Sequence, residues 1–324
     1  MNRSKSGIKV GRVLFSQPVV LFLLVVLISV ATGSVNEKFL TWNNISSILR
    51  QATSLGLVAA GVTILIISGH FDVSIGSMIG MTTCTMAILI NQGMNPWLVS
   101  LIGILICVTC SLINGAMSIL FKAPSFIVTL ATGSVYYGIA LLMTKGYMQT
   151  LYGKYRFLAS YQLFDKIPFL FLVLFLGFLF IYLLLKYTRT GREVYAIGTN
   201  ENAAYLSGIN VKASKLKFFM ISGVLTGFAC MVMLSRISAA QASSGTGMEL
   251  EAIGAVVIGG SSINGGKGGV IGTFFGVVLL SMISSAINML QISPYYEDIV
   301  YGLVIVIALA ITALRNRMME RQNG

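Results

Sequence analysis

The sequence predicts an all-α polytopic membrane protein with about ten transmembrane helices, some of them short or broken, and with both termini in the cytoplasm. Composition is the first observation, because 56% of the 324 residues are apolar and only 10% are charged. Soluble domains are about 25% charged, so this chain has too few polar groups to coat a surface in water. The second observation is that the apolar residues form runs close to the ~20 residues that cross a bilayer as a helix.

Each apolar run is interpreted as one pass through the membrane. The approximate bounds are 18–35, 52–69, 73–91, 97–120, 124–144, 168–186, 218–235, 249–261, 269–290 and 299–314. The run 249–261 is short and rich in glycine, so a broken or re-entrant helix shielded by protein is the alternative to a full span there. Residues 18–314 are therefore expected to form a single transmembrane domain.

Charge predicts the orientation of this domain. Lysine and arginine outnumber aspartate and glutamate by 22 to 10, and they cluster in segments 1–17, 186–217 and 315–324. Basic residues favour the cytoplasmic side of a membrane, so all three segments are expected there. An even number of passes separates these segments, which agrees with that placement. The basic excess thus indicates topology, and no nucleic-acid partner is expected.

The cysteines predict neither a disulfide framework nor a metal site. All of them lie inside apolar runs, at Cys84, Cys107, Cys110 and Cys230. Cysteine in such surroundings behaves as a small apolar residue. The Cys107-x-x-Cys110 pair has no histidine or acid beside it, so a metal site is not expected.

Two segments between runs are expected at the outer face. Residues 36–51 have apolar side chains at helix-like spacing among polar ones, which suits a helix that lies in the interface. Residues 146–168 form the largest outward loop. A short internal similarity also links 69–76 with 247–254, each with acids just before Ile-Gly; it favours the structural repeats of a transporter, with chance as the alternative.

The loop 186–217 contains a predicted short helix exposed to the cytoplasm. Thr199 or Asn200 can cap a helix that begins at Glu201, whose carboxylate suits the positive end of the helix dipole. Gly208 is expected to end that segment. This pattern favours a docking site for a cytoplasmic partner, and a solvated linker is the alternative.

The same residues resemble the Glu-Ala-Ala loop of the permeases of binding-protein-dependent ABC transporters. They are Glu201, Asn202, Ala203, Ala204 and Gly208. Three further motifs, at 68–77, 245–260 and 262–268, are similar to those of the simple-sugar, ribose-type branch of that family. The similarity extends over roughly 36–312, and His70 departs from it because the family more often has an apolar residue there.

The resemblance implies a complex of several proteins in the inner (cytoplasmic) cell membrane. Two permeases, either two copies of this chain or one copy and a homologous permease, would form a pathway for a ribose-type monosaccharide or related sugar. An extracytoplasmic sugar-binding protein would deliver the sugar, and an ABC ATPase subunit would dock on the five residues of the Glu-Ala-Ala loop and the basic residues around them. The chain itself would be no enzyme and would carry no cofactor, since the partner subunit uses the ATP.

Polar residues inside the runs are candidates for a gate or a pathway, because they are costly in lipid. The main candidates are Asp72, Ser74, Asn114, Ser125 and Asn288. Further candidates are Asn91, Thr129, Asn264, Ser281, Ser284 and Ser285. Interhelical hydrogen bonds are the alternative for most of them, and a helix cap is the alternative for Asp72.

Two acids open the run 249–261 near the predicted outer face. Glu249 and Glu251 are expected either to contact the binding protein or to cap their helix.

Two other classes of membrane protein are alternatives to a permease. An ion-coupled secondary transporter of a small polar solute should carry ionisable residues near mid-membrane, and the run centres hold almost none. A membrane-embedded enzyme needs a cluster of acids, bases or metal ligands, whereas the chain has a single histidine. Neither class fits as well as a permease.

Overall fold

The computed structural model describes residues 17–163, 166–293, 295–304 and 306. The basic clusters predicted within 1–16 and 315–324, and the end of the last predicted run, lie outside the described residues. Within the described ranges the chain is almost entirely helical, and its strands have two residues each.

The elements of the first half alternate long helices with short connections. They are α1 (Gln17–Val35), a 3₁₀ helix (Glu37–Leu40), α2 (Trp42–Ile67), α3 (Ile75–Asn91), α4 (Pro96–Leu120), α5 (Ser125–Thr144), β1 (Gln149–Thr150), α6 (Phe157–Ser160), β2 (Gln162–Leu163) and β3 (Ile167–Pro168). Strands β2 and β3 form an antiparallel pair.

The second half begins with another long helix and contains the short helices of the predicted cytoplasmic loop. Its elements are α7 (Phe169–Tyr187), α8 (Arg189–Thr199), α9 (Glu201–Leu206), α10 (Val211–Ile237), β4 (Ala239–Ala240), α11 (Met248–Ile258), α12 (Val270–Met289) and α13 (295–304). Strand β4 pairs antiparallel with β1.

Six helices, α2, α4, α5, α7, α10 and α12, are long and apolar enough to cross a membrane. Helix α3 and residues Leu21–Val35 of α1 are apolar but shorter. The described residues therefore confirm an all-α polytopic membrane protein.

Helix α2 is the centre of the bundle. It packs against α7, α10, α11 and α12, and 89% of its apolar window is buried inside the protein. Helices α4, α5 and α7 are buried over only about a third of their windows and leave large apolar side chains on the surface. Such a surface suits lipid, which is as apolar as the side chains that face it.

The prediction of an interfacial helix over 36–51 was wrong, because the helix α2, which is long enough to span the membrane, already begins at Trp42. Two polar residues of this segment form hydrogen bonds with hydroxyls of α12. Gln51 Nε2 donates to Ser284 Oγ at 2.8 Å, and Asn44 Oδ1 accepts from Ser285 Oγ at 3.0 Å. A neighbouring helix with matching hydroxyls thus lets this amphipathic segment enter the bundle.

The connections gather at two ends of the bundle. At one end, called the α8–α9 end, the last residue of α2 meets the loop before α12, and Ile67 O accepts from Gly266 N at 2.8 Å. At the other, called the β1–β4 end, Asn91 Nδ2 donates to Thr150 O at 3.2 Å. The β1–β4 end corresponds to the predicted outer face.

Two segments inside the bundle are not helical. Residues 68–74 join α2 to α3, and residues 241–247 descend from β4 along α3 before α11 begins. A Cβ atom at Gly80 would lie 2.0 Å from Ala242 O, so this close approach requires glycine. Helix α11 has 11 residues, about 17 Å at ~1.5 Å per residue, too short for a hydrocarbon core of ~30 Å. The broken-helix alternative for 249–261 is therefore the correct one.

Candidate functional site

Helices α8 and α9 form a capped, exposed feature at the α8–α9 end. The Asn200 side chain accepts a hydrogen bond from Ala203 N at 2.9 Å, so Asn200, and not Thr199, caps the helix that begins at Glu201. Gly208 has a φ of +83°, the left-handed conformation that ends such a segment. The predicted short helix is confirmed.

Helix α9 presents both polar and apolar groups to solvent. Glu201, Asn202 and Ala203 are exposed, whereas Ala204 is buried and anchors the helix. The next two residues, Tyr205 and Leu206, are 70% and 84% exposed. Exposed apolar side chains beside charged ones are typical of a protein interface. Sequence reasoning missed these two residues, although apolar side chains in a solvent-exposed loop were a usable signal.

Helix α8 connects this feature to the bundle. The buried carboxylate of Glu193 accepts from Arg189 Nε at 3.1 Å and from Ser214 Oγ of α10 at 2.9 Å. A Cβ atom at Gly198 would lie 1.8 Å from Ile67 O, so α8 touches the end of α2 directly. A displacement of α8 and α9 would therefore act on α2 and on the non-helical segment 68–74 that follows it. Sequence reasoning had not singled out Glu193 or Gly198.

A buried polar cluster holds the non-helical segment 68–74. Asp72 Oδ1 accepts from Ser74 Oγ at 2.6 Å and from Ser74 N at 3.0 Å, at the N-terminus of α3. Asn114 Nδ2 of α4 donates to Ser74 Oγ at 2.8 Å and lies 3.4 Å from both Asp72 carboxylate oxygens. Tyr136 OH of α5 donates to Asn114 Oδ1 at 3.1 Å. The cluster therefore ties α3, α4 and α5 together.

Two hydroxyls of α5 complete this attachment. Ser125 Oγ accepts from Phe71 N at 2.9 Å, and Thr129 Oγ1 accepts from Val73 N at 3.0 Å. Side chains thus satisfy backbone N–H groups that no helix satisfies.

Four of the five main pathway candidates thus lie in one site, namely Asp72, Ser74, Asn114 and Ser125. The fifth, Asn288, lies apart on the exposed side of α12 and donates to Ser284 O at 2.9 Å.

His70 lies at the α8–α9 end, in the connection between α2 and α3. Burial and, secondarily, the positive charge of Lys215 lower the pKa of His70 to about 4. Its Nδ1 lies 2.8 Å from Ser68 O, which fits a neutral ring with the proton on Nδ1. The residue that departs from the family pattern is therefore a neutral, hydrogen-bonded packing group.

The acids of α11 lie deeper than expected. Glu249 was expected near the outer face, but its Oε2 would lie 2.1 Å from a Cβ atom at Gly76, near the start of α3. At ~1.5 Å per residue, Gly76 is about 20 Å from the β1–β4 end of that helix. The expectation fails because residues 241–247 descend before α11 begins. The segments 69–76 and 247–254 therefore meet inside the bundle.

Glu251 lines a cavity together with groups from α2, α10, α12 and α13. The cysteines near the bundle centre are free, and Cys107 Sγ lies 3.7 Å from Cys230 Sγ. Within the described ranges, no group of three or more His, Cys, Asp or Glu side chains is arranged to hold a metal ion.

Comparison with known proteins identifies the family. A profile described as "Branched-chain amino acid transport system / permease component" matches residues 44–309. The ribose import permease protein RbsC of Bacillus subtilis (strain 168) is 39% identical over 295 residues, 90% of each chain. RbsC of Haemophilus influenzae is 34% identical over 316 residues, 95% of this chain and 96% of that one.

A permease that is named for a different sugar is also similar to this chain. The D-allose transport system permease protein AlsC of Escherichia coli (strain K12) is 32% identical over 298 residues, 90% of each chain. No solved structure was found to match. The chain therefore belongs to this family of ABC-transporter permease subunits, in the simple-sugar branch that its motifs resemble.

Proposed function

We propose that this chain lines the translocation pathway of an ABC importer for a small sugar, a ribose-type monosaccharide or a related one. The observation that carries the proposal is the exposed, capped helix α9, which is attached through α8 to the central helix α2. The relatives named for ribose and D-allose import support the sugar class. The energy comes from a separate ATPase subunit, and this chain performs no catalysis.

The proposed topology has ten crossings, with both termini and the α8–α9 end in the cytoplasm. Successive helices run between the two ends of the bundle, and the two interrupted crossings continue this alternation. Lys186, Arg189, Arg192, Lys212 and Lys215 all lie near the α8–α9 end, which supports a cytoplasmic location.

The ATPase docks on α9 in this proposal. Glu201, Asn202 and Ala203 offer an exposed polar face. Buried Ala204 fixes the helix on the bundle, and Gly208 ends it. Movement of the ATPase then reaches α2 through the contact between α8 and Ile67.

The polar cluster is the proposed gate. Asp72, Ser74, Asn114 and Ser125 fasten the one segment between α2 and α3 that is not helical, so exchanging these hydrogen bonds allows α3 to move. Asn288 stays a prediction for the pathway wall, since its exposed side chain suits contact with a second permease, either a copy or a homologue.

Contact with an extracytoplasmic binding protein is proposed for the β1–β4 end. For Glu249 and Glu251 such contact stays a prediction, and it requires the protein to open around α11. Tyr147 and Tyr152 in the loop after α5 are far more exposed and belong to the same end.

Reconstitution tests the proposed function. Liposomes that contain this chain with its ATPase and an added binding protein should concentrate ribose when ATP is supplied on the cytoplasmic side. Concentrative uptake by this chain alone, or uptake driven by an ion gradient without ATP, would contradict an ABC importer and favour a secondary transporter.

A further inference from the structure

A polar cavity lies inside the bundle, away from the gate cluster and from α9. It has a volume of about 220 Å³ and is bordered by α2, α10, the segment before α11, α11 itself, α12 and α13. Nine of the twelve residues around it carry polar side chains, and the apolar ones are Leu55, Met233 and Met248. An interior cavity of this kind is expensive unless its polar groups find partners.

Two hydroxyls of this cavity have no partner among the described residues. Ser54 and Ser281 are 3% and 2% exposed, and neither Oγ atom makes a hydrogen bond. Arg236 Nε, from the end of α10, is buried and equally without a partner there. Serine in a helix commonly bonds the carbonyl four residues earlier, so these two hydroxyls, on neighbouring helices that both border the cavity, are free to bond a molecule inside it.

Charges of opposite sign also line the cavity without pairing. Arg236, Glu251 and Glu297 all border it. Among the described residues, no ion pair within 4.0 Å joins the Arg236 guanidinium to either carboxylate. Half-buried opposite charges that are kept apart suit a ligand that bridges them.

The chemistry of the lining favours a neutral polyol. Each hydroxyl of a polyol both donates and accepts, so it can join a guanidinium, a carboxylate and a serine at once. Such a ligand brings no net charge into a low-dielectric interior. The volume lies below the ~300–1,000 Å³ of sites for drug-sized ligands, which suits a smaller solute. A branched-chain amino acid would need a larger apolar wall than three side chains provide.

We propose that this cavity is a binding station for a small neutral polyol within a single permease subunit, with Ser54, Ser281, Arg236 and Glu251 as the recognising groups. The proposal rests on the proposed function, because the polyol is the transported sugar. In this proposal the charged groups of Arg236 and Glu251 bind hydroxyls of the polyol, and the Oγ atoms of the two serines bind others.

Cysteine protection tests this site in the assembled complex in lipid nanodiscs. The native cysteines are buried, so Ser281→Cys introduces a thiol into the cavity against a low background. A small thiol reagent should modify it, and saturating ribose should slow the modification about fivefold, whereas leucine should have no effect. The matched control is Ser285→Cys, one turn along α12, because Ser285 bonds Asn44 and lies outside the cavity. Its rate should not respond to ribose.

The result that overturns the station is equal modification with and without ribose in a complex that imports ribose with ATP. A complex that imports no sugar overturns the proposed function instead, so the two failures are distinguishable. Protection by leucine and not by ribose overturns the polyol class.

Equilibrium binding gives a second measurement that needs no reactive thiol. Radiolabelled ribose should bind the permease–ATPase complex without the binding protein. Combining Ser54→Ala with Ser281→Ala should weaken that binding about fivefold or more, as the loss of two hydrogen bonds predicts. Ser285→Ala should not change it. No measurable ribose binding, or equal affinity in the double variant, means that the cavity holds only water and overturns the proposal.

Discussion

Asp72 shows how one acid is accommodated inside this bundle. Its carboxylate is 2% exposed and is surrounded by donors from Ser74 and from Asn114, which is 42 residues away in sequence. A buried carboxylate without such donors would cost several kcal/mol. The same hydrogen bonds stabilise the non-helical segment 68–74 and attach it to α4. The structural role of Asp72 and its proposed role in gating therefore depend on the same contacts.

The hydroxyl of Ser125 should be important for the segment 68–74. Ser125→Ala removes the acceptor of Phe71 N, and leaving a buried N–H unpaired costs about 1–3 kcal/mol. We expect a lower unfolding temperature of the purified permease in detergent. Ser134→Ala on the same helix is the control, because the Ser134 side chain is exposed and bonds only the carbonyl of Leu130. Equal loss in both variants would contradict the role of Ser125.

Gly76 is the second residue at which a small change should be costly. A Cβ atom there would lie 2.1 Å from Glu249 Oε2 and 2.5 Å from Gly245 O. Gly76→Ala should therefore destabilise the protein by about 1–3 kcal/mol through overpacking. In α5, Gly138 has open space at the Cβ position, so Gly138→Ala is the matched control. Thermal unfolding that is unchanged in Gly76→Ala would show that α3 and α11 are not packed this closely.

At the scale of elements, α9 carries two kinds of exposed residue that the proposed docking of the ATPase would use. Tyr205 and Leu206 supply apolar area, which in that proposal contributes mainly to affinity. Glu201 borders a basic cavity with Lys212 and Lys215, so its charge also contributes to the position of α9. The two kinds of residue should therefore have separable effects.

Reversing the charge of Glu201 in α9 should uncouple ATP hydrolysis from the arrival of the sugar-loaded binding protein. Glu201→Lys adds a fourth cation to the cavity that Lys122, Lys212 and Lys215 already line, and it opposes the dipole of the helix. Stimulation of ATP hydrolysis by the sugar-loaded binding protein should fall about tenfold in the assembled complex, whose composition is checked by co-purification. Glu37→Lys, an exposed acid near the opposite end, is the control. Unchanged stimulation in Glu201→Lys would remove the coupling role.

At the scale of the whole molecule, the orientation of the two ends has a direct test. Ser207→Cys in the α8–α9 end and Tyr152→Cys in the β1–β4 end both introduce exposed thiols. A membrane-impermeant reagent added to intact cells should label Tyr152→Cys alone, and both variants should react after the membrane is broken. Labelling of Ser207→Cys in intact cells would reverse the topology.

Local patterns were enough for the class of the protein and for most of its helices. The length of an apolar run decides whether a helix can cross a bilayer, and this property needs no partner. The cap at Asn200 and the left-handed Gly208 are equally local, so the short helix at Glu201 could be predicted from a few neighbouring residues.

The sequence by itself thus determined an all-α polytopic membrane protein with a short capped helix at Glu201, because hydropathy, charge and caps act over one or two turns. Only the tertiary structure decided that α2 begins at Trp42, that Glu249 lies against Gly76, and that Arg236 and Glu251 line the same cavity. These features depend on which helices pack together, and polar residues such as Gln51 change their environment when a helix with matching hydroxyls lies beside them.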